Sequence, residues 1–235
     1  MTAIEWQNCT DLHAMLDWVH QRVMLSDRKA RLFAVACCRA SWGLFDAKAL
    51  RRAVEASDQY ADGLISSEEL DKARSAAEEL AERAFRKHVR MMPWTVPIRK
   101  KFARQVAAMV ASADVNDVLE GIGTSLVSAK SRDLYYHNRD KEQHYRCALL
   151  RDLFGPLAHR AVQIDRSVST WKDSTIRKLA QAIYEDQAFD PVRLAILADA
   201  LEEAGCDDTS IIEHLRGPGP HMRGCWVVDL ILGKK

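Results

Sequence analysis

Backbone-breaking residues are scarce in this chain and gathered in a few places, and that distribution limits the fold more than any other feature. Only 10 glycines and 6 prolines occur in 235 residues, and Gly217, Pro218, Gly219, Pro220 and Gly224 crowd five of them between Arg216 and Trp226. Proline fixes φ and glycine frees it, so this stretch holds a turn while refusing to continue a helix or a strand. The long intervals elsewhere are rich in alanine, leucine, arginine and glutamate, and the apolar-polar alternation of half-buried strands is nearly absent. The expected class is all-α, a multi-helix bundle or an array of helical hairpins with a C-terminal helical subdomain.

Capping residues divide the chain. Asp11 and Ser26 each stand before a helical pattern, and the second carries Phe33, Cys37, Ser41 and Leu44 as a stripe. A third pattern runs from Asp46 to Gly63. Ser66 and Glu69 make a capping box for a long helix reaching His88 or Met91, ended by Pro93 and Pro97. Residues 98–111, 114–129 and 140–154 read as further helices, the last closed by Gly155 and Pro156. Residues 156–171 show no sustained period. Beyond a cap at Asp173 or Ser174, the residues Ile176, Leu179, Ala180, Ile183 and Tyr184 share one face. Pro191 opens the next helix, Leu194, Leu197, Ala198 and Leu201 make its stripe, and Gly205 stops it. Asp207 or Asp208 caps a short helix through Leu215, and 225–232 reads as a final helix, with strand as the alternative because two valines are adjacent. The implied organisation is an N-terminal bundle over 1–155, a linker or packing arm over 156–172 and a C-terminal subdomain over 173–235, or one continuous domain.

At this length a core can form without disulfides or metal. The six cysteines, at positions 9, 37, 38, 147, 206 and 225, lack the spacing of a disulfide framework, and reduced thiols in a cytoplasmic protein are expected. No apolar run approaches the ~20 residues needed to cross a bilayer, so no membrane association is expected. The formal charge of +1 names no partner.

Two clusters could carry chemistry. If the last helix starts at Pro220 or His221, then His221, Cys225 and Asp229 stand at i, i+4 and i+8 on one face. With Cys206 and His214 nearby, Cys206, His214, His221 and Cys225 are the candidate ligands of a zinc tetrahedron, although only His221 and Cys225 have the close spacing usual for such sites. A thiol role for Cys225 would need a cation such as Arg223 or His221 to stabilise the thiolate. The plainer alternative makes the loop a structural clasp, with Cys225 packed as a small hydrophobe and Trp226 as a core anchor. The second cluster is basic. Arg86, Lys87, Arg90, Trp94, Arg99, Lys100, Lys101 and Arg104 occupy a stretch without an acidic residue, a pattern suited to phosphates and stacked bases or to an acidic protein surface. An acidic block upstream, including Glu68, Glu69, Asp71, Glu78 and Glu79, offers it an internal partner.

Three segments carry a resemblance: 32–39 with Trp42, 148–155, and 197–207 continuing through the Gly-Pro loop to 224–230. They resemble an uncharacterised family of bacterial proteins whose C-terminal pattern combines Leu-Ala-Asp-x-Leu-Glu-x-Ala-Gly-Cys-Asp with Arg-Gly-Pro-Gly-Pro-His-x-Arg-Gly-Cys-Trp. The resemblance covers both ends of the chain, not its middle, and it implies no activity. No phosphate loop, nucleophile elbow or metal-binding helix signature is present, which favours a non-enzymatic role. The sequence thus reads as a helical protein-interaction adapter or scaffold working through a protein partner or self-association, with no cofactor assigned. Nucleic-acid association through the basic run and zinc or thiol chemistry at the C-terminal cluster are the two alternatives.

Overall fold

The capping chemistry is realised where the sequence places it. In the computed structural model, which describes residues 1–22, 25–88, 97–112, 114, 118, 137–158, 160 and 162–234, Asp11 Oδ1 accepts from the amides of His13 and Ala14 at 2.9 and 3.2 Å. The Ser66–Glu69 capping box closes at 2.9 and 3.3 Å, and a second box, Thr2 with Glu5, starts a short helix that the sequence reading passes over. The helices are α1 (Ala3–Asn8), α2 (Leu12–Gln21), α3 (Asp27–Arg39), α4 (Lys48–Ala61), α5 (Ser67–His88), α6 (Pro97–Val110), α7 (His137–Phe154), α8 (Arg166–Glu185), α9 (Pro191–Glu203), α10 (Thr209–Arg216) and α11 (Trp226–Leu232). No strand occurs among the described residues, so the fold is all-α and the strand alternative for the last element falls. No helix among them is long and apolar enough to cross a membrane. The pattern expected over 114–129 lies almost entirely outside the described residues.

The chain gathers into two compact units, one formed by Met1–Met24 with Tyr145–Lys235 and the other by Leu25–His144. This division groups the end of α7 and the first two helices with the C-terminal elements. The physical cause is visible at Arg151. Its Nε donates to the Trp6 carbonyl at 3.1 Å and its Nη2 to the Cys9 carbonyl, satisfying two orphan acceptors at the end of α1.

Within Leu25–His144, α3 packs on α4 and α6, and α5 packs on α4 and α6. The helix α3 ends at Arg39, so Ser41 and Leu44 fall beyond it, yet Phe33, Cys37 and Ser41 are all buried. Cys37 and Cys38 are buried in the core and not joined in a disulfide.

In the other unit α8 packs on α9 and α11, α9 on α10, and α10 on α11. Ile176, Leu194, Leu197, Leu201, Ile211, Leu215, Trp226 and Val227 meet there, each fully burying a side chain worth about 1.5–3 kcal/mol. The segment read as aperiodic contributes to this core through Val162 and Val168, and its end is already helical because α8 begins at Arg166. That helix is broken at Trp171, with Lys172, Asp173 and Ser174 at positive φ, before it resumes along the expected stripe. Trp226 packs over Gly155, whose φ is 45°; a Cβ there would lie 2.3 Å from the indole Nε1. The glycine that ends α7 is thus the seat of the Trp226 anchor.

Candidate metal centre

The end of α7, the end of α10 and the Gly-Pro loop meet beside that anchor. Asp152 sits in the last turn of α7, His214 in the last turn of α10, His221 in the loop, and Cys225 at the N-cap of α11. One ligand atom from each of the four lies within 4.8 Å of the others. His214 Nε2 is 3.0 Å from Asp152 Oδ1 and 3.3 Å from Cys225 Sγ, and His221 Nδ1 is 2.9 Å from the same Asp152 oxygen. The Asp152 and His221 side chains are 2% and 3% exposed, Cys225 is fully buried, and His214 at 19% forms the edge nearest solvent.

Nothing about local structure favours Asp152 where it is. A carboxylate in the last turn of a helix meets the negative end of the macrodipole, and burial adds a desolvation cost. No lysine or arginine pairs with it among the described residues; its partners are the two imidazoles, Cys225 and the Met222 amide, which donates to Oδ2 at 2.8 Å. Burial pushes its pKa up, but hydrogen bonds and charge from His214 and His221 outweigh this and hold it below the ordinary value. For His221 burial pushes the pKa down, and Asp152 with the Gly217 carbonyl reverses the sign, leaving it raised. The Cys225 thiol is held well above its ordinary value, by burial first and by Asp152 next. The Val228 and Val227 amides act the other way, although neither makes a capping hydrogen bond.

Counting hydrogens shows what the cluster is built for. His221 Nε2 lies 3.2 Å from the Gly217 carbonyl, which only accepts, so Nε2 carries a hydrogen. Nδ1 then faces an acceptor-only carboxylate and must hold either a second proton or a lone pair directed at a cation. His214 Nε2 faces both Asp152 and Cys225, and one N–H cannot point at both. The same four atoms can therefore share protons or surround a metal ion. With Asp152 and Cys225 ionised and both imidazoles neutral, the set carries two negative charges, which a divalent cation balances without leaving a buried net charge. Around zinc, donor atoms stand about 3.3–3.7 Å apart, so the contacts at 2.9–3.3 Å would open slightly and any pair standing nearer the 4.8 Å limit would close.

A nucleophilic arrangement is not formed. In a Cys-His-Asp relay the base uses one nitrogen for the thiol and the other for the carboxylate. Here both partners address Nε2 of His214, and the thiol is buried and driven toward its neutral form.

Three of the four candidate ligands read from the sequence, His214, His221 and Cys225, thus come together, and Cys206 does not join them. Gly205, at φ 87°, turns the chain after α9 and seats Cys206 against the hydrophobic core, its amide bonded to the Leu201 carbonyl at 2.9 Å. Asp152 takes the fourth place. The expected His221, Cys225 and Asp229 stripe is not formed either, because α11 begins at Trp226 and His221 lies before it. The residue missed, Asp152, left one signal: an acid in the last turn of a helix, against the dipole, immediately upstream of a Gly-Pro stop.

The basic residues share no site in the described structure. Arg90 and Trp94 lie outside the described residues, and Arg86, Lys87, Arg99, Lys100 and Lys101 are placed only as positions on α5 and α6. Arg104, part-buried, approaches Asp46 at 3.9 Å. The acidic block is partly neutralised along α5 itself, by the pairs Arg74–Glu78 and Arg83–Glu79. No protein-family model, curated protein or solved structure matches the chain.

Proposed function

We propose that the unit formed by Met1–Met24 and Tyr145–Lys235 is a metal-stabilised helical module, holding one zinc-class divalent ion through Asp152, His214, His221 and Cys225 and serving as a scaffold for protein association. The observation that carries this reading is the convergence of four ligand atoms within 4.8 Å in a largely buried pocket, whose groups carry two negative charges once Cys225 is ionised. Two imidazoles, a thiolate and a carboxylate suit zinc or cobalt, whereas magnesium and calcium prefer all-oxygen sets. The outer contacts support the assignment. Gly217 fixes the tautomer of His221 and the Met222 amide orients Asp152, which is how metal ligands are commonly held.

In this module the metal acts as a cross-link. Asp152 is 62 residues from His214 and 69 from His221, so one ion closes the chain between α7 and the C-terminal hairpin. A helical surface fixed in this way can dock a partner without side chains poised for chemistry. Elemental analysis of protein purified without chelator, alongside Cys225→Ser, tests the reading. One equivalent of zinc or cobalt in the native chain, lost in the variant, is expected; a folded native chain that takes up neither ion when supplied overturns it.

A further inference from the structure

The four ligands are not held alike. Asp152 is pinned through its second oxygen by the Met222 amide at 2.8 Å, and His221 through its far nitrogen by the Gly217 carbonyl at 3.2 Å. Cys225 is fully buried, and its backbone is fixed on both sides, its amide bonded to the Met222 carbonyl at 2.9 Å and its carbonyl accepting from the Asp229 amide at 2.9 Å. The backbone of His214 is held as firmly, within α10 and with its carbonyl accepting from the Gly217 amide at 3.1 Å, but its side chain is held differently. Both of its hydrogen-bonding contacts run through Nε2, into the cluster, and no described residue partners Nδ1. Its ring lies beside those of His221 at 5.0 Å and Trp226 at 5.3 Å, and its side chain is 19% exposed, against 3% for His221 and 2% for Asp152.

Outer-shell hydrogen bonds fix a ligand's orientation and account for much of its grip on a metal. Building on the metal reading above, we infer that the centre has three anchored ligands, Asp152, His221 and Cys225, and one exchangeable ligand, His214, whose coordination position can be taken by a small monodentate donor such as water or imidazole. The metal stays in place while its open edge changes partner. A permanently closed structural site would not do this, and the difference would make the ion accessible to ligand exchange from the His214 side.

The test uses the full chain loaded with cobalt, whose visible bands report coordination and whose near-ultraviolet thiolate charge-transfer band reports the Cys225 bond. His214→Ala is expected to retain one cobalt with its charge-transfer band. Its affinity should fall by about 10- to 100-fold, the size of an outer-shell loss rather than of a lost anchor. Added imidazole should return the visible spectrum toward that of the native chain. Asp152→Ala, His221→Ala and Cys225→Ala should each retain no cobalt at the same concentration. If folded His214→Ala loses the ion as completely as those three, or keeps it with a spectrum indifferent to imidazole, the inference is overturned while the metal reading stands. If the native chain itself binds no cobalt, the metal reading fails and this inference with it. Should His214→Ala not fold, cobalt-loaded native protein is titrated with imidazole instead. A saturable spectral change with the charge-transfer band kept supports exchange at His214, and an unchanged spectrum refutes it.

Discussion

Replacing Asp152 by asparagine separates the two states that the cluster can adopt. In the metal-free protein the amide fits the hydrogen pattern already present. Its oxygen can accept from the Met222 amide, now 2.8 Å from Oδ2, and its two N–H groups can donate to His221 Nδ1 and His214 Nε2, at 2.9 and 3.0 Å from Oδ1. Charge-assisted bonds worth about 1.5–3 kcal/mol become neutral ones worth about 0.5–1.5, so the metal-free chain should lose only about 1–3 kcal/mol where His221 is protonated and less above that range. The metal-bound state has no such remedy. The ligand set falls from two negative charges to one, leaving a buried positive charge around a divalent ion. An uncompensated buried charge costs about 3–5 kcal/mol, or about 10²- to 10⁴-fold in affinity. Urea unfolding of the metal-free chain gives the first quantity and competition with a chromophoric zinc chelator gives the second. Asp152→Asn protein that binds zinc as tightly as the native chain would show that the carboxylate is no ligand, and the centre as drawn would be wrong.

Other expectations follow from the same geometry. Gly155→Ala places a methyl 2.3 Å from the Trp226 indole at a positive φ, and overpacking of that kind costs about 1–3 kcal/mol; a urea midpoint within error of the native one would refute the seat assigned to Trp226. In metal-free protein the raised pKa of His221 gives stability that is complete below the ordinary value of 6.5 and lost as pH rises through the folded value. The lowered pKa of Asp152 gives stability that is complete above 3.8 and lost as pH falls through the folded value, so metal-free stability should be greatest between the two ordinary values. A thermal-melting series across pH checks this, and His221→Asn should flatten its upper limb. Zinc binding should show the opposite trend. It displaces a proton from His221 and one from Cys225, so affinity should rise by about 100-fold per pH unit while both are protonated, which calorimetry in buffers of different ionisation enthalpy can count. At free zinc about 100 times Kd the folded chain should gain about 2.7 kcal/mol, read as a shift in melting temperature that EDTA reverses.

Local signals located most of the helices because the forces that start and stop them act within one turn. Asp11, Ser26, Ser66, Asp190 and Asp208 cap the amides that sequence spacing puts in reach, and Gly63, Gly205 and Gly233 take the positive φ at which helices end. The misreadings share one cause. The final helix starts at Trp226, within the 225–232 read for it, so the earlier start at His221 on which the His221, Cys225 and Asp229 stripe depended is not realised, and the start of α8 lay in a stretch without a period. In both places a tertiary contact, the Trp226 seat on Gly155 or the burial of Val162 and Val168, outweighs a weak local preference.

The candidate centre divides along the same line. His214, His221 and Cys225 were legible because they fall within twelve consecutive residues around a rigid turn, so chain geometry alone keeps them near each other. Whether Cys206 or Asp152 would complete them was not legible. That choice depends on where α7 ends relative to α10 and the loop, and on Arg151 and Gly155 holding the end of α7 in that place. Sequence determined the all-α class, the breaks and three candidate ligands, through interactions that span a few residues. Only the packing of helices 62 residues apart could bring a buried carboxylate to face two imidazoles and a thiol, because contacts at that separation are set by the shape of the whole core.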